Sequence, residues 1–444
     1  MITPETPFLL DFFTALKECG IRYAVMRNSE TLPESLGGSD LDLLVEDEKS
    51  ARIVLGAAKK AASDNGGAIT VLYATGAVVV CLAGKGKDGW WGCHIDIFVG
   101  LKYYGLPYVN SQLLMGNRIL EKGIFYRLGD EADVVSFVKE ILHTGKTRKF
   151  YYPKARVFYR SNREAVEKLF ASFYGDNGWR LLENMLTAEI DGNLLRSESK
   201  VLSRYLLKTG LHSPAQFISA KCGSVLERVS RILHRPGYCV AFLGTDGSGK
   251  STLIESIKPP LESMLHAPIH YEHLRPNLIP SLARLAGKPR CEGPVTDPHG
   301  GKVAGRFSSL IRFTYYYIDY VLGYWLKIYP ILVRRPSMVF FDRYYYEYMI
   351  DPRRCAVKLP RGWARFWSWF IPKPDLILCL GGDPEKIYAR KPETSLEEVR
   401  RQVAALKEFC NDNKRTVWID TTVNVGESIN ATLKVIMEAM SFRY

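Results

Sequence analysis

The residues best suited to chemistry lie in "FLGTDGSGKSTL". Gly244, Gly249, Lys250 and Ser251 stand in the spacing G-x-x-x-x-G-K-S, between the apolar run "CVAFL" and the helix-forming "STLIESI". That is the context a phosphate-binding loop requires. Glycines let backbone N–H groups turn inward around phosphate oxygens, and the following helix points its positive end at them. Gly244, Thr245, Asp246, Gly247, Ser248, Gly249, Lys250, Ser251 and Thr252 are therefore expected to contact a nucleoside triphosphate, ATP in the first instance. Lys250 would place a charge at the transferred phosphate, and Ser251 would offer its hydroxyl to Mg²⁺.

Three further stretches belong to the same chemistry. "SMVFFDRYYYEYMIDPRR" puts Asp342 and Arg343 at the end of an apolar strand. Ligands bind at that edge of a parallel sheet. An Asp there can serve magnesium or take a hydroxyl proton, and an Arg can clamp phosphate. The plainer alternative is a helix cap with a surface Arg. Arg390, Lys391, Arg400 and Arg401 are spaced to close over phosphates as a lid, or to sit on an ordinary solvated helix. Arg275 in "YEHLRPN" ends another strand and can meet an anionic acceptor.

A second constellation lies near the other end. "GGSDLDLLV" places Asp40 and Asp42 two apart on a strand, on the same face. Asp96 in "CHIDIFV" adds a third carboxylate, with His94 two residues before it. Three acids on neighbouring strands can hold two Mg²⁺ for in-line attack at an α-phosphate. A D-x-D pair alone is common and is often a turn-end feature.

Two or three domains are expected for 444 residues. Residues 1–112 read as a small mixed α/β unit: a helix over 6–19, a strand over 21–28, another over 40–45, a helix from Lys49 to Ser63, then strands at "AITVLYA", "AVVVCLA" and "CHIDIFV". Residues 113–235 read as all-helical. They include the basic, aromatic run Lys146–Arg160, expected to be a solvated helix with aromatic anchors rather than a grip on an anionic polymer. Residues 236–444 show the alternation of a parallel sheet covered on both faces, at "YCVAFL", "PIHYEHL", "SMVFF", "DLILCL" and "TVWID". The stretch Ala286–Arg306 reads as a mobile loop. The fold class is thus α/β and multidomain: mixed sheet, helical middle, P-loop parallel sheet.

Composition narrows the partners. The net charge of +13 points to acidic ones: nucleotides, or an anionic or carbohydrate-type acceptor, with nucleic acid disfavoured. The nine cysteines form no C-x-x-C pair, so buried free thiols are expected. "MITPETPFLLDFF" has no basic stretch before its apolar patch, so no signal peptide is expected. Phe313–Val333 is broken by Asp319, Lys327 and Pro330, which reads as a buried or interfacial helix rather than a span. "RGWARFWSWFIP" and Tyr315–Tyr317 are either core or a sugar- or membrane-facing patch. A cytoplasmic protein is expected, with peripheral contact at the inner membrane face as an alternative.

Over residues 238–444, "FLGTDGSGKSTL", "FFDRYYYEY", "PDLILCLGGDPEKIYARK" and "TVWIDTT" resemble the thymidylate kinase branch of the nucleoside monophosphate kinases. The resemblance implies that Asp246 contacts the acceptor, that Asp342 and Arg343 are the Asp-Arg pair, and that Arg390 and Lys391 belong to the lid. The family's Arg-Glu-Pro acceptor motif is replaced by "HLRPN". "YYYEYMIDPRR" is similar to a subgroup associated with bacterial surface-polysaccharide synthesis. Residues 7–100 resemble the minimal nucleotidyltransferase superfamily, with Arg27, Asn28 and Ser29 where that family has Gly-Ser. The resemblances imply an ATP- and Mg²⁺-dependent kinase acting on a small or carbohydrate-type acceptor, joined to a nucleotidyltransferase-like domain. Two alternatives stay open: a true thymidylate kinase with an accessory head, and a nucleotide-sensing module without catalysis.

Overall fold

The computed structural model describes residues 3–74, 77–87, 89–146, 151–188, 191–280, 282, 305–334, 336–355, 357–358 and 360–441. Most of the loop expected at Ala286–Arg306 lies outside these residues. The chain divides into two compact units, Met1–Leu233 and His234–Tyr444.

The first unit begins α1 (Thr6–Glu18), β1 (Tyr23–Val25), β2 (Leu41–Val45), α2 (Glu48–Asp64), β3 (Gly67–Ala74), β4 (Ala77–Gly86) and β5 (Gly89–Val99). A short pair follows, β6 (Lys102–Tyr103) and β7 (Leu106–Pro107), then α3 (Ser111–Gly116), β8 (Ile119–Glu121) and β9 (Phe125–Arg127). The helices α4 (Ala132–Thr144), α5 (Tyr151–Ser161), α6 (Arg163–Thr187), α7 (Gly192–Gly210) and α8 (Pro214–Leu233) complete it.

Its seven-stranded mixed sheet runs β3-β4-β5-β2-β1-β9-β8. This corrects the all-helical reading of residues 113–235. β8 and β9 are a hairpin turned by positive φ at Lys122 (48°) and Gly123 (70°), and β9 pairs in parallel with β1. Strands of three residues are too short to show alternation, so only the Lys-Gly turn announced them. Strand 21–28 is likewise shorter than expected, because Asn28 already turns at φ 55°.

Alternation along β2 sorts its side chains. Leu41, Leu43 and Val45 join a core with α1 and α2, whereas Leu44 faces a second core built by α4 to α7. Asp42 shares the Leu44 face, so the helical region covers it. Within α5, Tyr151, Ala155 and Tyr159 are buried at i, i+4 and i+8, as anchors of a solvated helix. Residues 147–150 of that basic run lie outside the described set.

The second unit carries β10 (Tyr238–Gly244), α9 (Lys250–Leu265), β11 (His270–His273) and α10 (Arg306–Gly323). A π turn (Tyr324–Ile328) leads to α11 (Tyr329–Arg334), β12 (Met338–Asp342), α12 (Glu347–Ile350), α13 (Arg361–Trp367) and β13 (Leu376–Gly381). It ends with α14 (Pro384–Arg390), α15 (Leu396–Asp412), β14 (Thr416–Asp420) and α16 (Val425–Ser441). Its five strands, all parallel, run β11-β12-β10-β13-β14, where the five apolar runs place them. Cys239 and Cys379 are buried free thiols in this sheet. No helix among the described residues is long and apolar enough to cross a membrane.

Candidate functional site

In the second unit β10 comes first in the chain and lies at the centre of the sheet. The chain leaves it toward β11 and later fills the other side with β13, so the carboxyl end of β10 is a switch point, where open α/β sheets bind ligands. Gly244 closes that strand. A Cβ on it would lie 2.6 Å from Ser248 Oγ and 2.7 Å from the Leu380 carbonyl, which excludes any side chain. Gly247 and Gly249 hold φ of 79° and 77°, which gives the loop its inward turn. No side chain caps α9 at Gly249, so the helix presents its N-terminus to the loop.

The polar groups around this cup are unsatisfied in a telling way. Thr245 Oγ1, Ser248 Oγ and Asp342 Oδ1 are buried without a hydrogen-bond partner. Each such group costs about 1–3 kcal/mol unless a ligand completes it. Lys250, also buried, donates to the carbonyls of Gly244 and Thr245, both at 2.8 Å. Burial, and then the nearby Arg343, push its ammonium down to about 7. Ser251 and Thr252 open the helix at the surface.

Asp342 ends β12 in register with Phe242 of β10, and its Oδ2 accepts from the Tyr271 hydroxyl at 2.8 Å. Arg343 adopts φ 71°, unusual for a residue with a Cβ, while its N–H donates to the Phe242 carbonyl at 2.8 Å. That turn aims its guanidinium at the loop, 2.7 Å from Asp246 Oδ1 and 3.1 Å from Glu347 Oε2. Arg354 holds the other Asp246 oxygen. Burial would raise the Asp246 carboxyl, but Arg343 and Arg354 outweigh it and hold it down to about 2.

The lid residues divide. Ile387 and Lys391 pack against the loop: a Cβ on Gly247 would sit 2.7 Å from the Ile387 carbonyl and 3.1 Å from Lys391 Cβ. Arg390 donates to the Thr421 carbonyl at 2.9 Å. Arg400 and Arg401 are taken up by Glu385 and Glu398 within α14 and α15. Arg275, expected to meet the acceptor, is buried instead against Asp319 at 2.6 Å and over the Tyr316 ring. Sequence reasoning missed Arg354, Glu347 and Tyr271. Only Arg354 carried a signal, in the basic "DPRR" after the Asp-Arg pair.

In the first unit the three acids do meet. Asp42 on β2 lies in register with Asp96 on β5, and oxygens of Asp40, Asp42 and Asp96 fall within 4.8 Å of one another. The same place gathers cations. Arg27 contacts Asp42 through Nε and lies 3.4 Å from Asp40 through Nη2. Lys139 of α4 reaches Asp42 Oδ1 at 3.5 Å, with its ammonium 4.0 Å over the Phe98 ring. His94 Nε2 stands 3.3 Å from Asp96 Oδ1. Burial would raise the Asp42 carboxyl, but Lys139 and Arg27 together lower it. Asp40 and Asp42 thus already have cations from the protein, while Asp96 has the His94 imidazole beside it and keeps its buried Oδ1 without a hydrogen-bond partner. A cavity of ≈ 320 Å³ opens beside Arg27, lined by Asn28, Ser29, Arg127, Asp133 and Lys154 among others.

No family model matches the chain, and no curated protein matches it.

Proposed function

We propose that the second unit is an ATP-dependent phosphotransferase of the thymidylate-kinase type, acting on a small or carbohydrate-type acceptor, and that the first unit is a nucleotidyltransferase-like module. The observation that carries this reading is the cup at the end of β10. Left-handed glycines, an uncapped helix N-terminus, a buried lysine and three partnerless buried oxygens converge where a triphosphate would complete them. Ser251 and Asp342 are the residues that would hold magnesium, whose charge would stabilise the transferred phosphoryl group. Lys250 would exchange two carbonyl partners for phosphate oxygens. Arg343, braced by Glu347, and Arg354 frame Asp246 as a fixed acceptor contact. Asp342 keeps one oxygen free for the acceptor hydroxyl or the metal. A sensor would need no such partnerless carboxylate beside its lysine.

The test is incubation of the full chain with γ-labelled and α-labelled ATP in parallel, across sugar, sugar-phosphate and nucleotide acceptors. Label from the γ position on a carbohydrate-type acceptor is the expected result. Thymidylate as sole acceptor would favour the plain nucleotide kinase, and no transfer with no hydrolysis would defeat catalysis altogether. Asp42→Asn should leave γ-transfer within about twofold, because sites that share no partners act independently. A folded Asp42→Asn variant that loses γ-transfer would break the two-site picture.

Arg27 makes a separate prediction. Wild-type protein without nucleotide should show little Mn²⁺ uptake at the first unit. Arg27→Met, which removes the cation shared by Asp40 and Asp42, should gain uptake by about tenfold or more, since like carboxylates at this spacing favour a cation between them. Paramagnetic titration reads this directly. Strong uptake by wild type that vanishes in Asp42→Asn would show instead that Arg27 yields readily to metal.

A further inference from the structure

The second unit exposes an apolar and cationic face that the phosphate chemistry does not use. On α10 and the π turn, Phe307, Ile311, Ile318, Leu322 and Trp325 recur at helical spacing and are all exposed, Phe307 by 77%. The opposite side of the same helices, with Phe313, Tyr320, Tyr324, Ile328 and Leu332, is core. A second element adjoins it: Tyr317, next to Ile318, meets the Trp367 ring edge-on at 5.3 Å. Around Trp367 stand Trp363, Phe366 and Phe370, and Trp369 is 79% exposed. Large aromatic rings held in water at this density mark an interaction surface.

Charge selects the partner. Residues 305–373 contain twelve lysines and arginines against four acids. All four acids are buried: Asp319, Asp342, Glu347 and Asp351. Arg306 lies on α10, Lys358 stands beside Ser309 of that helix, Arg365 lies on α13 and Lys373 follows Phe370 by three residues; all four are exposed, as are Arg334 and Arg353 elsewhere in the stretch, with no exposed acid from it. Asp412 of α15 stands 3.9 Å from Arg365 and offsets that one cation in part.

We infer that this face docks in plane on an anionic lipid bilayer. An apolar stripe with Trp and Phe, rimmed by Lys and Arg, has the composition of interfacial helices that lie at the headgroup level. Each cation near an anionic surface adds about 1 kcal/mol. Two other occupants fit less well. A second copy related by a twofold axis would set the cationic rim against itself. Single-stranded nucleic acid would use the rings and cations, but Ile311, Ile318 and Leu322 offer no stacking plane. Asp319 and Lys327 exclude the spanning alternative for this helix, in line with the absence of a crossing helix among the described residues. The surface would bring the kinase unit to acceptors that are themselves held at a membrane.

The experiment is co-sedimentation of the full chain, with vesicles of phosphatidylcholine alone and with added phosphatidylserine. Binding to the anionic vesicles, weakened by salt and nearly absent on phosphatidylcholine, is expected. Trp369→Ser with Phe370→Ser should reduce it by about tenfold or more, as buried aromatic area is lost from the bilayer. Arg365→Glu with Lys373→Glu should reduce it separately while leaving every ring in place. Circular dichroism on each variant establishes that it is folded. No wild-type binding, or equal binding by folded variants, overturns the proposal. So does a dimer in light scattering that the Trp369 and Phe370 changes dissolve while vesicles stay unbound.

Discussion

Lys250→Ala should lower γ-phosphate transfer by about 100- to 1,000-fold, the loss typical when one preorganised charge is removed from the reacting group. The same variant should be no less stable than the parent. Lys250 is buried, its ammonium meets two loop carbonyls, and desolvation and Arg343 both disfavour its charge. A cation so placed burdens the free protein and helps only when an anion arrives. Alanine removes that burden along with the catalysis, so unfolding should occur at the same temperature or slightly higher. The kinetic loss should fall mainly on kcat, because the backbone N–H groups of the loop would remain to bind the proposed triphosphate tail. Steady-state kinetics and thermal unfolding on the same preparation decide the matter. Transfer within a few-fold of wild type would remove Lys250 from the reaction. A large loss of stability would mean that it serves the fold instead.

The glycine turn at the end of β10 was legible because its determinants are local. Gly244, Gly247 and Gly249 are dictated by backbone geometry within nine residues, and the flanking strand and helix announce themselves by pattern. Asp40, Asp42 and Asp96 were also legible as a group, since alternation fixes the face and the apolar neighbours Ile95 and Ile97 fix the strand. What escaped was every partner supplied from far along the chain. Lys139 reaches Asp42 from 97 residues away, and Arg354 reaches Asp246 from 108. No periodicity encodes such pairs, because they follow from how helices settle on sheets. Arg27 was seen, but as a substitute for a Gly-Ser turn. The structure makes it the counter-ion of Asp40 and Asp42.

The two sites hold their buried charges differently. In the first unit each acid has a cationic or imidazole neighbour, although Asp96 Oδ1 is buried without a hydrogen-bond partner. In the second, Asp246 is fully paired, while Asp342 keeps one partnerless oxygen and Lys250 only carbonyl partners. Unmet polar groups are tolerated where binding completes them.

Asp319→Ala should destabilise the second unit by about 3–5 kcal/mol, the cost of breaking a buried ion pair from one side. Asp319 interrupts an apolar stretch that otherwise resembles a membrane segment, and the structure supplies the reason. Its carboxylate is fully buried on α10, accepts from Arg275 at 2.6 Å, and receives the N–H groups of Asn277, Leu278 and Ile279 at 2.9 to 3.1 Å. Two positive φ values, 65° at Leu274 and 56° at Asn277, lie in the loop it fixes. That loop follows β11, and the Leu274 N–H bonds the Asp342 carbonyl at 2.9 Å, which ties it to the carboxyl end of β12. Alanine leaves the Arg275 guanidinium buried without its acid and three amides without their acceptor. Asp319→Leu combined with Arg275→Met should recover part of the loss, because removing both charges avoids the stranded cation. Urea unfolding of the three proteins gives the comparison. A single-variant loss below about 1 kcal/mol would mean that water reaches Arg275 and that the pair is a surface feature, whereas a double variant worse than the single would show that the carboxylate's hold on the three amides outweighs the ion pair.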